Sequence, residues 1–184
     1  MTLKNEMHFE IFVSKQMRSL KVYTDGACKG NPGIGGWGVV IYDDNFVWTS
    51  CGGKKKTTNQ EMELQAVNQA LRICPEGCDI EIIADTMYVL QGLVSGGKSG
   101  TIERNKNGKI HFSGWTGAWR AKGWVKADGG AIKHLELWKE IVQRCETHVE
   151  MGSKLTLTWI KGHSGDKEND KADELANLGI KKFQ

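Results

Sequence analysis

The stretch that decides the fold of this chain is LKVYTDG, at residues 20–26. Apolar and polar side chains alternate along it, and this period of two residues predicts a half-buried β-strand. Asp25 lies where the predicted strand ends, directly before the glycine-rich residues 26–33. An aspartate at the end of a strand can reach solvent while its backbone stays in the sheet. If other parts of the chain bring further carboxylates to this point, a functional site is expected there.

The segments that follow predict an antiparallel meander and then a helix. Residues 36–42 and 46–50 form two further apolar strand patterns, and the turn between them contains two aspartates and an asparagine. Thr58 and Glu61 have the spacing of a capping box at the start of a helix. The helical pattern continues to about Cys74, where Pro75 ends it.

A second apolar strand also ends in an aspartate. It is DIEIIAD, at residues 79–85, and its last residue is Asp85. A strand that follows a strand and a helix implies a right-handed crossover and parallel pairing. Ligands of such sheets bind beyond the carboxyl ends of the strands. Asp25 and Asp85 therefore occupy equivalent positions in their strands.

Two predicted helices each carry a carboxylate on or beside the apolar face. Glu63 lies in the middle of the apolar arc of the first helix, where a charge is costly unless a cation meets it. The alternative is that Glu63 extends outward near the start of the helix. On the last helix Asp173 shares a stripe with Asn169 and Ala176, at the edge of the apolar arc.

Asp25, Glu63, Asp85 and Asp173 together indicate a site for hard divalent cations. Four carboxylates cannot all ionise in a small cleft unless cations compensate their repulsion. Mg²⁺ prefers oxygen ligands, whereas a zinc site would need the histidines or cysteines that this set largely lacks. Two such ions are suited to phosphodiester cleavage. We therefore expect two Mg²⁺ ions, with Mn²⁺ as an alternative.

Size and composition predict one soluble, cytoplasmic domain. The chain has 184 residues, of which 39% are hydrophobic and 26% charged, and it has no apolar run long enough to span a membrane. Its five cysteines include Cys74 and Cys78, which have no second pair to complete a zinc site. Free thiols in a reducing cytosol are expected, and so is a monomer.

The net charge of +3 is mild, but the basic residues are clustered. One run is Lys54-Lys55-Lys56, and a longer basic region contains Lys98, Arg104, Lys106, Lys109, Arg120, Lys122 and Lys126. Runs of charge are most often solvated faces. The tryptophans among these lysines, Trp115, Trp119 and Trp124, favour contact with a sugar–phosphate backbone.

Four sequence blocks carry a resemblance to a known family. They are YTDGACKGNPG at 23–33, TTNQEMEL at 57–64, ADTMYV at 84–89, and KGH at 161–163 followed by DELA at 173–176. In order and spacing, over residues 20–178, they resemble type 1 ribonuclease H. The resemblance implies an α/β fold with a five-stranded mixed sheet, an antiparallel meander plus parallel strands, flanked by helices. It also implies hydrolysis of the RNA strand of RNA–DNA hybrids by two metal ions, giving 5′-phosphate and 3′-hydroxyl ends.

The same resemblance implies a role for each acidic residue. Asp25 would bridge both ions, Glu63 and Asp85 would complete the ion on the leaving-group side, and Asp173 would complete the ion that activates water. His163, in a loop with glycines on both sides, would assist proton transfer or product release. The alternative for His163 is an ordinary surface histidine.

Substrate contacts are implied in the same way. The residues expected along the minor-groove edge of the RNA are Cys28, Asn31, Asn59, Gln60 and Met87. Thr58 would help to hold a DNA phosphate, and Tyr88, Trp115 and Trp119 would line the channel for the DNA strand. Asn31 and Asn59 have an alternative as turn and cap residues, and the two tryptophans have one as core residues.

The chain departs from the family pattern in three places. The segment between Leu93 and Trp115 is longer than expected and contains Asn107-Gly108, which predicts a small hairpin within 101–112. We expect an enlarged basic protrusion around 95–126, within a catalytic domain at 20–184. His134 stands where the family often has an asparagine near the DNA phosphate. Residues 1–19 form an N-terminal extension of unknown role.

Two other classes of function stay open at this point. One is a nucleic-acid-binding module of the same fold that is catalytically silent, which the presence of all four carboxylates disfavours. The other is a related recombinase or transposase acting on DNA. The pair Asn59-Gln60, which the resemblance assigns to ribose sensing, disfavours that class.

Overall fold

The computed structural model describes residues 18–162 and 164–184. The predicted N-terminal extension, apart from Arg18 and Ser19, and His163 lie outside the described residues. In the described part of the chain the strands are β1 Ser19–Gly30, β2 Gly33–Asp43, β3 Phe46–Thr57, β4 Asp79–Ala84, β5 Ser99–Arg104, β6 Ile110–His111 and β7 Leu155–Trp159. The helices there are α1 Asn59–Ile73, α2 Met87–Leu93, α3 Trp115–Ala121, α4 Leu135–Glu150 and α5 Lys167–Lys181. Among these helices, none is both long and apolar enough to cross a membrane.

The described strands form one mixed sheet with the order β3-β2-β1-β4-β7-β5-β6. The meander β1–β3 is antiparallel, and β1, β4 and β7 are mutually parallel neighbours, which confirms the predicted architecture. The predicted number of five strands omits β5 and β6. These two strands are the hairpin of the long segment, and β5 pairs antiparallel with the outer edge of β7.

The meander strands are longer than their sequence patterns predict. β1 does not end at Asp25, because residues 26–30 continue to pair with β2. Its parallel pairing with β4, in contrast, ends at Thr24 opposite Ala84. Asp25 therefore lies where β1 separates from β4, and the gap between the two strands opens at that point.

Helices cover both faces of the sheet. Val22 and Val39 belong to the core beneath α1 and α4, together with Leu64 of α1 and the fully buried Trp138 of α4. Their neighbours Tyr23 and Val40 point to the opposite face, where they pack with Ala172 of α5. The alternation that predicted a half-buried strand therefore belongs to a strand that is covered on both sides.

Helix α5 lies unusually close to the sheet because glycines face it. A Cβ placed on Gly38 of β2 would overlap the carbonyl oxygen of Ala172 and the amide nitrogen of Ala176. Gly38 is also the pairing partner of Asp25 across the β1–β2 ladder. The absence of a side chain at Gly38 thus lets the turn of α5 that carries Asp173 lie next to Asp25.

Candidate active site

Three of the four predicted carboxylates form one tight group. Asp25, Glu63 and Asp85 each offer a carboxylate oxygen, and these atoms all lie within 4.8 Å of one another. Asp25 comes from β1, Glu63 from the first turns of α1, and Asp85 directly follows β4. Helix α1 reaches the strand because a Cβ on Gly26 would overlap the backbone of Glu63.

Glu63 points inward and is only 7% exposed, so the alternative in which it extends outward is wrong. Its Oε1 accepts a hydrogen bond of 3.4 Å from Nδ2 of Asn59, one turn earlier in α1. Asp25 is equally buried, and its Oδ1 accepts a hydrogen bond of 2.8 Å from the amide of Gly26. Both carboxylates are thus held in place by short local contacts.

Asp173 lies beside this group without being one of its members. Its carboxyl is near enough to Asp25 to raise the pKa of Asp25. Nδ2 of Asn177 donates a hydrogen bond of 2.9 Å to Oδ1 of Asp173, which fixes the direction of that side chain. The structure therefore brings all four predicted carboxylates to one region, three with oxygens within 4.8 Å of one another and the fourth next to Asp25.

The electrostatics of this region are those of like charges crowded together. Burial, and then the charge of Asp85, raise the pKa of Asp25 from 3.8 to about 7, against the lowering effect of the Gly26 amide. Burial, and then the charges of Asp25 and Asp85, raise the pKa of Glu63 well above its usual range. In residues 18–162 and 164–184, no lysine or arginine forms an ion pair with any of the four carboxylates.

The residues present fit a hard divalent cation. All the donors are carboxylate oxygens, which hard cations prefer, and the group has no histidine or thiol ligand. A cation at this point would relieve the repulsion that raises the two pKa values. The arrangement is therefore one that could hold a divalent cation.

The residues predicted to contact RNA lie around the start of α1, except Met87, which begins α2. Oδ1 of Asn31, in the turn between β1 and β2, accepts a hydrogen bond of 3.4 Å from the amide of Asn59. The half-buried thiol of Cys28 lies 3.6 Å from the carbonyl oxygen of Thr57. Met87 begins α2, two residues after Asp85, and is half-buried. Asn31 thus does serve as a turn residue, whereas the cap of α1 is Thr58 and Asn59 is its first helical residue, so the cap alternative is wrong for Asn59. Asn59 also contacts the carboxylate group through its hydrogen bond to Glu63.

The predicted DNA-strand residues line one pocket of about 420 Å³. It is lined by Gln60, Tyr88, Trp115, Trp119, Lys126, Ile132 and Lys133. Trp115 is 38% exposed. The centre of its ring lies 5.7 Å from the ring centre of Tyr88 and 6.0 Å from that of Trp119. Trp119 also packs against the core, so the core alternative is partly correct for this residue.

Thr58 and His134 lie together near this pocket. Oγ1 of Thr58 caps α1 by accepting a hydrogen bond of 3.2 Å from the amide of Glu61. The same oxygen lies 3.4 Å from Nε2 of His134. His134 has a left-handed backbone with φ of 57°, a conformation that asparagine adopts more readily than most residues. Burial lowers the pKa of His134, so the ring favours its neutral form.

Comparisons with known proteins identify the family. The family model for RNase H matches residues 17–181. The ribonuclease H of Rhizobium etli is 36% identical over 168 residues, which are 91% of this chain and 95% of that protein. The ribonuclease HI of Brucella melitensis is also 36% identical over 168 residues, with coverage of 91% and 94%. The chain belongs to the type 1 ribonuclease H family.

Solved structures agree with this ribonuclease H fold. LC9-RNase H1, described as a type 1 RNase H with the type 2 active-site motif, matches with a TM-score of 0.70 and 24% identity, over 94% of this chain and 76% of that chain. LC11-RNase H1, solved in complex with an RNA/DNA hybrid, matches with a TM-score of 0.56 and 22% identity, over 89% and 97%. At these identities the likeness supports the fold. The predicted hydrolase class rests on the sequence relatives and is confirmed by them.

Trp159 also contacts this ribonuclease H site, although no local sequence pattern identifies it. Nε1 of Trp159 donates a hydrogen bond of 2.9 Å to the carbonyl oxygen of Asp85. Trp159 ends β7 and pairs with Ala84, the residue before Asp85. A tryptophan at the carboxyl end of a third parallel strand is a usable signal, but only once the pairing of β4 with β7 is known.

Proposed function

We propose that this ribonuclease H hydrolyses the RNA strand of RNA–DNA hybrids and leaves 5′-phosphate and 3′-hydroxyl ends. The observation that carries the proposal is the group of Asp25, Glu63 and Asp85, whose carboxylates lie within 4.8 Å of one another without a basic partner in the described chain. Crowded carboxylates of this kind need divalent cations, and a phosphodiester brings further negative charge to the same place.

These three carboxylates and Asp173 would hold two Mg²⁺ ions, with Mn²⁺ as the alternative. When bound, the ions supply Lewis-acid stabilisation of the reacting phosphate and a lowered pKa for the attacking water. The chain itself supplies orientation. Asn59 fixes Glu63, Asn177 fixes Asp173, and the indole of Trp159 fixes the backbone of Asp85.

Discrimination of the two strands is assigned to two adjoining regions, which meet at Gln60 because this residue also lines the aromatic pocket. Asn31, Asn59 and their neighbours Cys28, Gln60 and Met87 would read the ribose 2′-hydroxyl groups, which distinguish RNA from DNA. The aromatic pocket of Tyr88, Trp115 and Trp119 would receive the DNA strand, with Thr58 and His134 at a DNA phosphate. His163 would assist proton transfer or product release.

A cleavage assay with three labelled duplexes tests the proposal. We expect Mg²⁺-dependent cleavage of an RNA–DNA hybrid in its RNA strand, and none of double-stranded RNA or of duplex DNA. Asp25→Asn should lower hybrid cleavage by on the order of a thousandfold or more, because it removes an anionic ligand of the cations that would stabilise the transition state. Asp44→Asn, at an exposed aspartate in the β2–β3 turn, is the matched control and should cleave like the wild type.

Three outcomes would contradict the proposal, each in a different way. Full activity in Asp25→Asn would move the chemistry away from the carboxylate cluster. Binding of hybrids without any cleavage would favour the catalytically silent module. Cleavage of duplex DNA in preference to the hybrid would favour the recombinase or transposase class.

A further inference from the structure

The start of the long segment between α2 and β5 lies at the same edge of the sheet as the carboxylates. Because β5 is antiparallel to β7, Ser99 at the start of β5 pairs with Thr158 near the end of β7. Trp159 in turn pairs with Ala84, which precedes Asp85. The loop at residues 95–98 is therefore level with the active site, whereas the hairpin turn at 105–108 lies at the opposite end of β5.

Lys98 is fixed within this loop by Trp159. The amide of Trp159 donates a hydrogen bond of 2.6 Å to the carbonyl oxygen of Lys98. The ammonium group of Lys98 lies 5.0 Å from the centre of the Trp159 ring, a cation–π distance. The same indole donates its N–H to the carbonyl of Asp85, so one side chain contacts both Lys98 and Asp85.

The ammonium of Lys98 is available for a ligand. The residue is exposed, and within residues 18–162 and 164–184 it has no ion pair with a carboxylate. The two residues before it, Gly96 and Gly97, have φ values of 98° and 135°, and no heavy atom lies within 4 Å of the Cβ position of either. An anion can thus approach the bare backbone of the loop as well as the lysine, a combination that suits a phosphate group.

We propose that the loop at residues 95–98 is a phosphate-binding subsite for the RNA strand, with Lys98 as its charged contact. The inference rests on the proposed function and extends it to this loop. Two strand spacings of about 4.8 Å separate the backbone of β5 from that of β4, so Lys98 lies about 10 Å from the strand that carries Asp85. A strand whose phosphate lies at the carboxylates and that runs along this edge of the sheet would pass within a few nucleotides of Lys98.

The choice of the RNA strand follows from the position of the aromatic pocket. That pocket is bounded by α1, α2, α3 and the segment before α4, and Lys98 is not one of its lining residues. A DNA strand in the pocket would contact these helices and the segment before α4, and not the loop at 95–98. The loop at 95–98 instead continues the sheet edge on which the scissile phosphate is expected.

The first test measures hybrid binding as a function of salt, in an Asp25→Asn background that prevents cleavage. Lys98→Gln should weaken binding by about 3- to 5-fold at low salt, and should reduce the slope of log K against log[salt] by about 0.9, the loss of one phosphate contact. Lys98→Arg should retain both the affinity and the slope. Lys154→Gln, at an exposed lysine just before the opposite end of β7, is the matched control and should bind like the Asp25→Asn parent.

The second test identifies the strand by replacing single phosphates. One nucleotide at a time is replaced by a deoxynucleotide with a neutral methylphosphonate linkage, and the reference at each position is a deoxynucleotide with a normal phosphate. One RNA-strand linkage near the cleavage site should weaken binding by the wild-type loop and have no effect with Lys98→Gln. If the effect of the methylphosphonate depends on Lys98 only at linkages of the DNA strand, or at no linkage, the subsite is overturned.

These results separate the subsite from the proposed function. A wild-type protein that cleaves hybrids while Lys98→Gln shows an unchanged affinity and salt slope overturns the subsite alone. A wild-type protein that fails to cleave hybrids overturns both, because the subsite is defined by the RNA strand.

Discussion

The two ends of helix α1 treat buried polar groups in opposite ways. Near its start, Glu63 lies against Asp25 and Asp85, and no cation of the described chain forms an ion pair with any of the three. Further along, the buried Asn68 donates a hydrogen bond of 2.8 Å to Glu140 and accepts one of 2.8 Å from Arg144. The carboxylates near the start of α1 need a bound cation to compensate their charge. The amide of Asn68 has its hydrogen-bond partners within the protein. The region around Asn68 therefore stabilises the fold, whereas the crowded carboxylates around Glu63 lower the stability of the fold and form the candidate active site.

Disrupting the packing that brings Asp173 to the carboxylates should have the largest effect. Gly38→Val would force a branched side chain into the backbone of α5 at Ala172 and Ala176, and overpacking against backbone atoms cannot be relieved by a rotamer change. We expect a loss of about 3–5 kcal/mol in the free energy of unfolding, together with loss of hybrid cleavage. Urea denaturation and the cleavage assay measure the two effects.

Asp173→Asn is the comparison that separates packing from chemistry. It leaves α5 against Gly38 and changes only the charge of the side chain, so cleavage should fall while unfolding stays close to that of the wild type. A Gly38→Val protein as stable as the wild type would show that α5 does not depend on this close approach.

Relieving the repulsion should increase stability. The pKa of Asp25 is raised from 3.8 to about 7, so between these pH values the native state binds more protons than the unfolded state, and stability falls as pH rises through that window. In metal-free buffer at pH 8, the free energy of unfolding of Asp25→Asn should therefore be about 2–4 kcal/mol higher than that of the wild type. At pH 4 the difference should disappear, because the wild-type carboxyl is then protonated in the native state.

Thermal or urea unfolding at the two pH values, with a chelator present, checks this prediction. Added Mg²⁺ should stabilise the wild type more than Asp25→Asn, since the variant has lost a ligand. Asp44→Asn should show neither effect. An Asp25→Asn protein that is less stable at pH 8 would mean that the cluster is already compensated within the chain.

A substitution at Asn68 should lower stability, whereas Asp25→Asn should raise it. Asn68→Ala removes both hydrogen bonds and leaves Glu140 and Arg144 without their shared partner. We expect a loss of about 1–3 kcal/mol in unfolding free energy and unchanged hybrid cleavage per folded molecule. Lys139→Ala, at a half-buried lysine of α4 whose ammonium pairs with the exposed Glu136, is the matched control and should change stability by less than about 0.5 kcal/mol.

Local patterns predict the parts of the site that depend on one element at a time. The alternation in β1, the apolar run of β4 and the helical arc of α1 are each visible in a window of a few residues, and they identify Asp25, Asp85 and Glu63. The inward direction of Glu63 could not be decided from the sequence, because it depends on Gly26 leaving space for α1. The role of Gly26 can be recognised only once α1 is known to pack against it.

Features that depend on pairing between distant segments were not predictable. The hairpin at β5 and β6 was expected, but its addition to the sheet follows from the pairing of Ser99 with Thr158, far apart in sequence. The same is true of Trp159, whose contact with Asp85 requires the register of β4 against β7. The contact of His134 with Thr58, 76 residues earlier, is likewise a pairing of distant segments that no local pattern encodes.

Trp159 offers the smallest and most selective change at the functional end. Trp159→Phe keeps an aromatic ring beneath Lys98 but removes the N–H that binds the carbonyl of Asp85. A lost hydrogen bond of this kind costs about 1 kcal/mol, so we expect kcat to fall roughly 5- to 10-fold while KM stays within about twofold. Trp119→Phe, in the aromatic pocket, should instead raise KM, because that residue is assigned to the DNA strand. If Trp159→Phe raises KM and leaves kcat unchanged, the indole binds substrate and does not position Asp85.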